Sequence, residues 1–117
     1  MKCLNSSLAA LAALVLTLSG NHAMAANCST ECTTSGAHII VARESGAPND
    51  VSVMNIVAEA VVDKCSGSDI AEVPYPALFD PYVESETEGV GNLTDMVLDY
   101  QSCCPDSQVV LMGYSQV

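Results

Sequence analysis

Hydrophobic and polar positions fall into blocks along this chain, and the blocks change period. Leu8 to Leu18, "LAALAALVLTL", is apolar throughout and has no polar face. "AHIIVAR", Ala37 to Arg43, is a short continuous apolar run rich in β-branched residues, which predicts a strand. The stretch "ESGAPND" interrupts it, with Pro48 in a turn and Asn49 or Asp50 as candidate helix caps. From Val51 to Lys64 the spacing becomes helical, with Val53, Val57, Ala60 and Val61 on the predicted inner face. "IAEVPYPA", Ile70 to Ala77, predicts a second strand, and Pro74 and Pro76 place it at a sheet edge. Ser85 and Glu88 then have the spacing of a capping box, predicting a helix that runs to about Ser102. Its predicted inward residues are Val90, Leu93, Val97 and Tyr100, with Asn92, Asp95 and Asp99 on the wet stripe. A turn at Cys103-Cys104-Pro105-Asp106 leads into the last predicted strand, "QVVLMGY".

Strand, helix, strand, helix, strand is the alternation of a parallel sheet covered by helices, so the fold class read from the pattern is α/β. In such a unit the strands run up and the helices run down. Cys32, Cys65, Cys103 and Cys104 therefore gather at the lower edge of the sheet, and the ends that chemistry uses lie at the upper edge.

The apolar run near the N-terminus changes the reading of charge and cysteines. Lys2, then Leu8 to Leu18, then Ala23-Met24-Ala25 form the three parts of a secretory leader, with cleavage expected after Ala25. The run is too short to span a bilayer, and no membrane insertion is expected. Residues 1–25 are thus read as a signal peptide and residues 26–117 as the domain. Cleavage leaves 14 acids against Arg43 and Lys64. That surface repels nucleic acid. Five cysteines remain, Cys28, Cys32, Cys65, Cys103 and Cys104, and in an exported, extracellular chain they read as disulfide partners with one left over. Their spacing does not suit a metal cluster, and His38 is the one histidine after the leader, so no metal or cofactor is expected. Asn27 and Asn92 begin glycosylation sequons.

The strand that ends the chain runs straight into Gly113-Tyr114-Ser115-Gln116, the context a nucleophile elbow needs. Alone, that tetrapeptide is a weak signal. Together, "HIIVARES", "YPA" and "CCPDSQVVLMGYSQ" resemble, in order and spacing, the cutinase and acetylxylan esterase family of secreted serine esterases, over roughly Cys32 to Gln116. The resemblance implies a three-layer sandwich with a parallel sheet, the α/β-hydrolase fold in its cutinase-like form, cut after the third strand. It implies Ser115 as the nucleophile toward an ester carbonyl. It implies the Gln116 backbone N–H and Ser45, by backbone and hydroxyl, as the two arms of an oxyanion hole. It also implies that Cys104 bonds back to Cys32, leaving the pairing of Cys28, Cys65 and Cys103 open. The substrate implied is a cutin-like polyester or an acetylated plant polysaccharide, and the intact protein is expected to be monomeric.

Val117 stands where the family carries the second glycine of the elbow. The acid and base of an α/β-hydrolase follow the serine in the order Asp or Glu, then His, and no such residue follows Ser115. His38, within the first strand, reads as a buried structural histidine rather than a substitute base. The expectation is therefore an inactive N-terminal fragment of an esterase. The rival reading is a non-enzymatic, acidic, disulfide-stapled secreted protein that uses the same half-fold.

Overall fold

The computed structural model describes Cys3 and residues 28–116. The rest of the predicted leader with its cleavage position, Asn27 and Val117 lie outside the described residues. Five elements follow one another: β1 (Ala37–Ala42), α1 (Val53–Lys64), β2 (Asp69–Glu72), α2 (Tyr82–Cys103) and β3 (Gln108–Gly113). The sheet is parallel, in the order β2-β1-β3. β1 is central, paired on both sides and covered on both faces, and Ile39, Ile40 and Val41 are almost completely buried. The proline-bearing segment lies at an edge, but its ladder stops at Glu72, with one further bond from Val73 N–H to the Val41 carbonyl.

Alternation along β1 divides the core in two. Ile39 and Val41 pack with Ala58 of α1, and with Met54, Val61, Val62 and Met112. Ile40 and Ala42 pack on the other face with Val73, Tyr75 and Ala77, against Leu93, Met96 and Val97 of α2. The helices thus cover opposite faces, giving three layers. Right-handed crossovers require this, because α1 leads to a strand on one side of β1 and α2 to a strand on the other. Burying each of Ile39, Ile40 and Val41 stabilises the fold by about 1.5–3 kcal/mol.

Both helices differ in detail from the sequence pattern. Ser52, not Asn49 or Asp50, caps α1, its hydroxyl accepting from the Met54 and Asn55 N–H groups. That start turns Met54, Asn55, Ala58, Val61 and Val62 toward the sheet and leaves Val53, Ile56 and Val57 exposed. Apolar residues cover all of α1 except the stripe of Asn55, Glu59 and Asp63 and the closing Lys64, an arc so wide that period alone could not choose its inner face. α2 begins a turn earlier than the capping box implied, after Pro81, and Ser85 makes no cap. Ser85 is instead buried inside the first helical turns. Val90 is exposed, and Gly89 takes the inward position because the Tyr75 ring lies directly against it.

The lower edge is covalently closed. Disulfides join Cys32 to Cys104, Cys28 to Cys103 and Cys3 to Cys65. Cys65 thus pairs with Cys3, a residue of the predicted leader, and no cysteine is left free among the described residues.

Candidate active site

Three loops emerge at the upper edge of the sheet: residues 43–52 after β1, residues 73–81 after β2, and Tyr114 onward after β3. Ala42 of β1 pairs with Gly113 of β3. Ser45 lies three residues past the first and Ser115 two residues past the second, so both sit above neighbouring strand ends. Ser115 is exposed and has a φ of 68°. A side chain in that left-handed region costs about 1–3 kcal/mol, and persists only where the surroundings over-determine it.

Those surroundings are a dense set of hydrogen bonds. The Arg43 guanidinium, almost fully buried, donates to the carbonyls of Ala47 and Tyr75 and so ties the first loop to the second. Its centre lies 5.4 Å from the centroid of the Tyr75 ring, within cation–π range. The Gly46 N–H donates to the Ala77 carbonyl at 2.7 Å. Glu44 accepts from the Val53 N–H, and both Glu72 carboxylate oxygens lie 3.1 Å from the Asp50 nitrogen, so acids secure the rest of the Ser45 loop. The Tyr75 hydroxyl donates to the Arg43 carbonyl and lies 3.3 Å from the Gln116 carbonyl, joining the first loop to the third. Burial pushes the Tyr75 phenol above its ordinary pKa, and the nearby Arg43 charge only partly opposes this.

Gln116 is the most completely held residue of the third loop, only 2% exposed. Its side-chain nitrogen donates to the Leu78 carbonyl at 2.8 Å, and its side-chain oxygen accepts from the Ser85 hydroxyl at 3.3 Å. No described residue accepts a hydrogen bond from the Gln116 backbone N–H. The site therefore presents an exposed hydroxyl on a left-handed backbone, followed by an uncommitted N–H on an anchored residue.

His38 is elsewhere. It lies near the lower end of β1, opposite Val109, six residues before Ser115. At about 3.3 Å per strand residue the separation is roughly 20 Å, far beyond hydrogen-bond reach. Its Nδ1 lies 2.8 Å from an Asp69 carboxylate oxygen, and its ring stacks on Tyr100 with centroids 3.8 Å apart. Its polar and aromatic needs are met there. Asn92 is not freely solvated: its side-chain amide donates to the Pro74 carbonyl, because α2 crosses the segment after β2 at that point. Among the described residues no cluster of three His, Cys, Asp or Glu could hold a metal ion.

Arg43, Tyr75, Ser85 and the Gln116 side chain are the parts that sequence reasoning missed. A signal existed for Arg43, a base closing an otherwise apolar strand in a chain with almost no bases. Ser85 gave none, because Ser followed by Glu three residues on reads as a helix cap.

Comparison with known proteins agrees with this fold. The model of the cutinase family matches residues 32–117. Acetylxylan esterase 2 of Talaromyces purpureogenus is 29% identical over 86 residues, which cover 68% of this chain and 37% of that protein. The solved catalytic core domain of an acetyl xylan esterase from Trichoderma reesei is similar with a TM-score of 0.67 at 27% identity, over 74% of this chain and 44% of that one. A further solved acetylxylan esterase gives the same TM-score at 28% identity. The chain thus spans less than half the length of these relatives. The match of the family model over residues 32–117, in agreement with the parallel sheet and its covering helices, places this chain in the cutinase family.

Proposed function

We propose that these residues supply the nucleophile and oxyanion hole of a secreted serine esterase. Ser115 attacks the carbonyl carbon of a carboxylic ester. The N–H of Gln116, with the N–H and hydroxyl of Ser45, receives the developing negative charge. The alcohol then leaves, and water releases the acyl group from Ser115. The observation that carries this reading is the left-handed φ of Ser115 immediately above a parallel strand.

A base must take the Ser115 proton. Among the described residues none forms a hydrogen bond with the Ser115 hydroxyl, and His38 sits at the opposite end of the sheet, engaged with Asp69. Without a base, the described residues alone do not turn over substrate. The substrate is a cutin-like polyester or an acetylated polysaccharide. The names of the relatives favour acetylated xylan, and the family's name favours cutin.

The test supplies the missing base from solution. A fluorophosphonate is added to the chain with and without imidazole, and the labelled residue is mapped by mass spectrometry. The Ser115 oxygen forms a bond to phosphorus, fluoride leaves, and imidazole accepts the proton. Labelling of Ser115 that depends on imidazole, with no turnover of p-nitrophenyl acetate in its absence, is the expected result. No labelling of Ser115 under either condition would overturn the esterase reading and favour the acidic, non-enzymatic secreted protein.

A further inference from the structure

Ser85 lies on α2, away from the strand that carries Ser115, yet it touches the residue that follows Ser115. Its hydroxyl accepts from the Leu78 N–H at 2.9 Å and passes its own proton toward the Gln116 side-chain oxygen at 3.3 Å. The other end of the same amide donates to the Leu78 carbonyl at 2.8 Å. The three bonds form a closed circuit through Leu78, Ser85 and Gln116. Because a carbonyl can only accept, the amide nitrogen must face Leu78, which leaves its oxygen for Ser85. The circuit therefore fixes the direction of the amide as well as its position. Both side chains are only 2% exposed, so water cannot replace either partner cheaply.

The geometry points to Ser85 as a positioning residue that acts through Gln116. Held at the far end of its side chain, Gln116 cannot rotate, and its backbone N–H keeps the direction that the oxyanion hole requires. The same hold maintains the left-handed turn at Ser115, which a free chain would relax. Ser85 touches neither substrate nor the reacting atoms. This inference rests on the reading of Ser115 as the nucleophile.

Four variants of the full 117-residue chain test it: Ser85→Ala, Ser85→Thr, Gln116→Glu and Asn92→Ala. The last removes a different hydrogen bond from α2, the one to the Pro74 carbonyl, and serves as the structural control. The first readout is the rate of imidazole-assisted fluorophosphonate labelling at Ser115. Ser85→Ala and Gln116→Glu should slow it about tenfold or more, part of the 10²–10³-fold loss expected when an oxyanion donor is removed outright. Ser85→Thr keeps a hydroxyl and should recover most of the rate, and Asn92→Ala should leave it unchanged. The second readout needs no reaction: the heteronuclear NOE of the Gln116 backbone amide should fall in Ser85→Ala and not in Asn92→Ala.

Outcomes separate the two readings. Wild type that does not label removes the esterase reading, while an unchanged Gln116 amide in Ser85→Ala removes the clamp whatever the labelling shows. Equal slowing in Ser85→Ala and Asn92→Ala would also overturn the proposal, because the effect would then be loss of α2 packing.

Discussion

The two ends of the sheet are built by different physics. At the lower edge, Cys28, Cys32 and Cys65 are joined covalently to partners far away in sequence, and the loops between them carry no strained side chain. At the upper edge no disulfide is found among the described residues, and there the backbone departs from ordinary geometry. Asp50, Ala77 and Ser115, the three non-glycine residues with positive φ among the described residues, all lie in upper loops. Hydrogen bonds from Arg43, Tyr75 and Ser85 hold those loops in place. A disulfide acts mainly on the unfolded chain and fixes the direction only of the two cysteines it joins. A hydrogen-bond circuit is weaker, but it fixes where each N–H and hydroxyl points. The end at which the proposed function aims groups at a substrate is held by the directional kind.

The largest test of this contrast is to cut the lower edge. Replacing Cys28, Cys32, Cys103 and Cys104 together by Ala should cost about 4 kcal/mol in urea unfolding, since the two parallel bonds close one loop, 72 residues apart at its inner pair. The Gln116 amide in the folded fraction should keep its chemical shift. A shift there would show that the covalent end also directs the upper one.

Cutting the upper edge should cost less overall. Arg43→Met removes both guanidinium bonds and leaves the Ala47 and Tyr75 carbonyls short of a donor, for a loss of about 1–3 kcal/mol in the same assay. Stability equal to wild type would mean that the loops are held by backbone bonds alone.

Two glycines of α2 give smaller effects of opposite sign. A Cβ at Gly89 would come 2.8 Å from the Tyr75 ring, so Gly89→Ala should destabilise by roughly 1–3 kcal/mol despite its better helix propensity. A Cβ at Gly91 meets nothing within 4 Å, and Gly91→Ala should stabilise by about 0.5–1 kcal/mol. Thermal melts of the pair check both signs.

The smallest effect is in alkaline titration. Tyr75 at the upper edge has its pKa raised by burial. In Tyr100 at the lower edge burial also raises it, but hydrogen bonds with Ser107 and Thr33 outweigh that and bring the phenol below 10.0. The stability that Tyr75 contributes is complete below its unfolded pKa. It is lost as pH rises from there through the folded value, because the unfolded phenol ionises first. Tyr100 has the opposite sign and gains stability across its own interval. Tyr75→Phe should therefore flatten the alkaline fall in stability, and Tyr100→Phe should steepen it. Absorbance at the tyrosinate band should show Tyr100 ionising before Tyr75.

The alternation of periods determined the element order, the parallel sheet and the gathering of cysteines below it, because strand and helix spacing are local properties of a chain. The Gly-Tyr-Ser-Gln run at the end of an apolar strand likewise marked Ser115 without any knowledge of packing. Tertiary structure decided which face of α1 is buried, since its apolar residues span more than one face and only docking on Ile39 and Val41 selects among them. It also decided the work of Ser85. The same Ser and Glu spacing serves a helix cap or a buried clamp, and the outcome depends on whether Leu78 and Gln116, 38 residues apart in sequence, meet at that hydroxyl. Their meeting requires α2 to cross the sheet and β3 to lie beside β1, and no local pattern encodes that encounter.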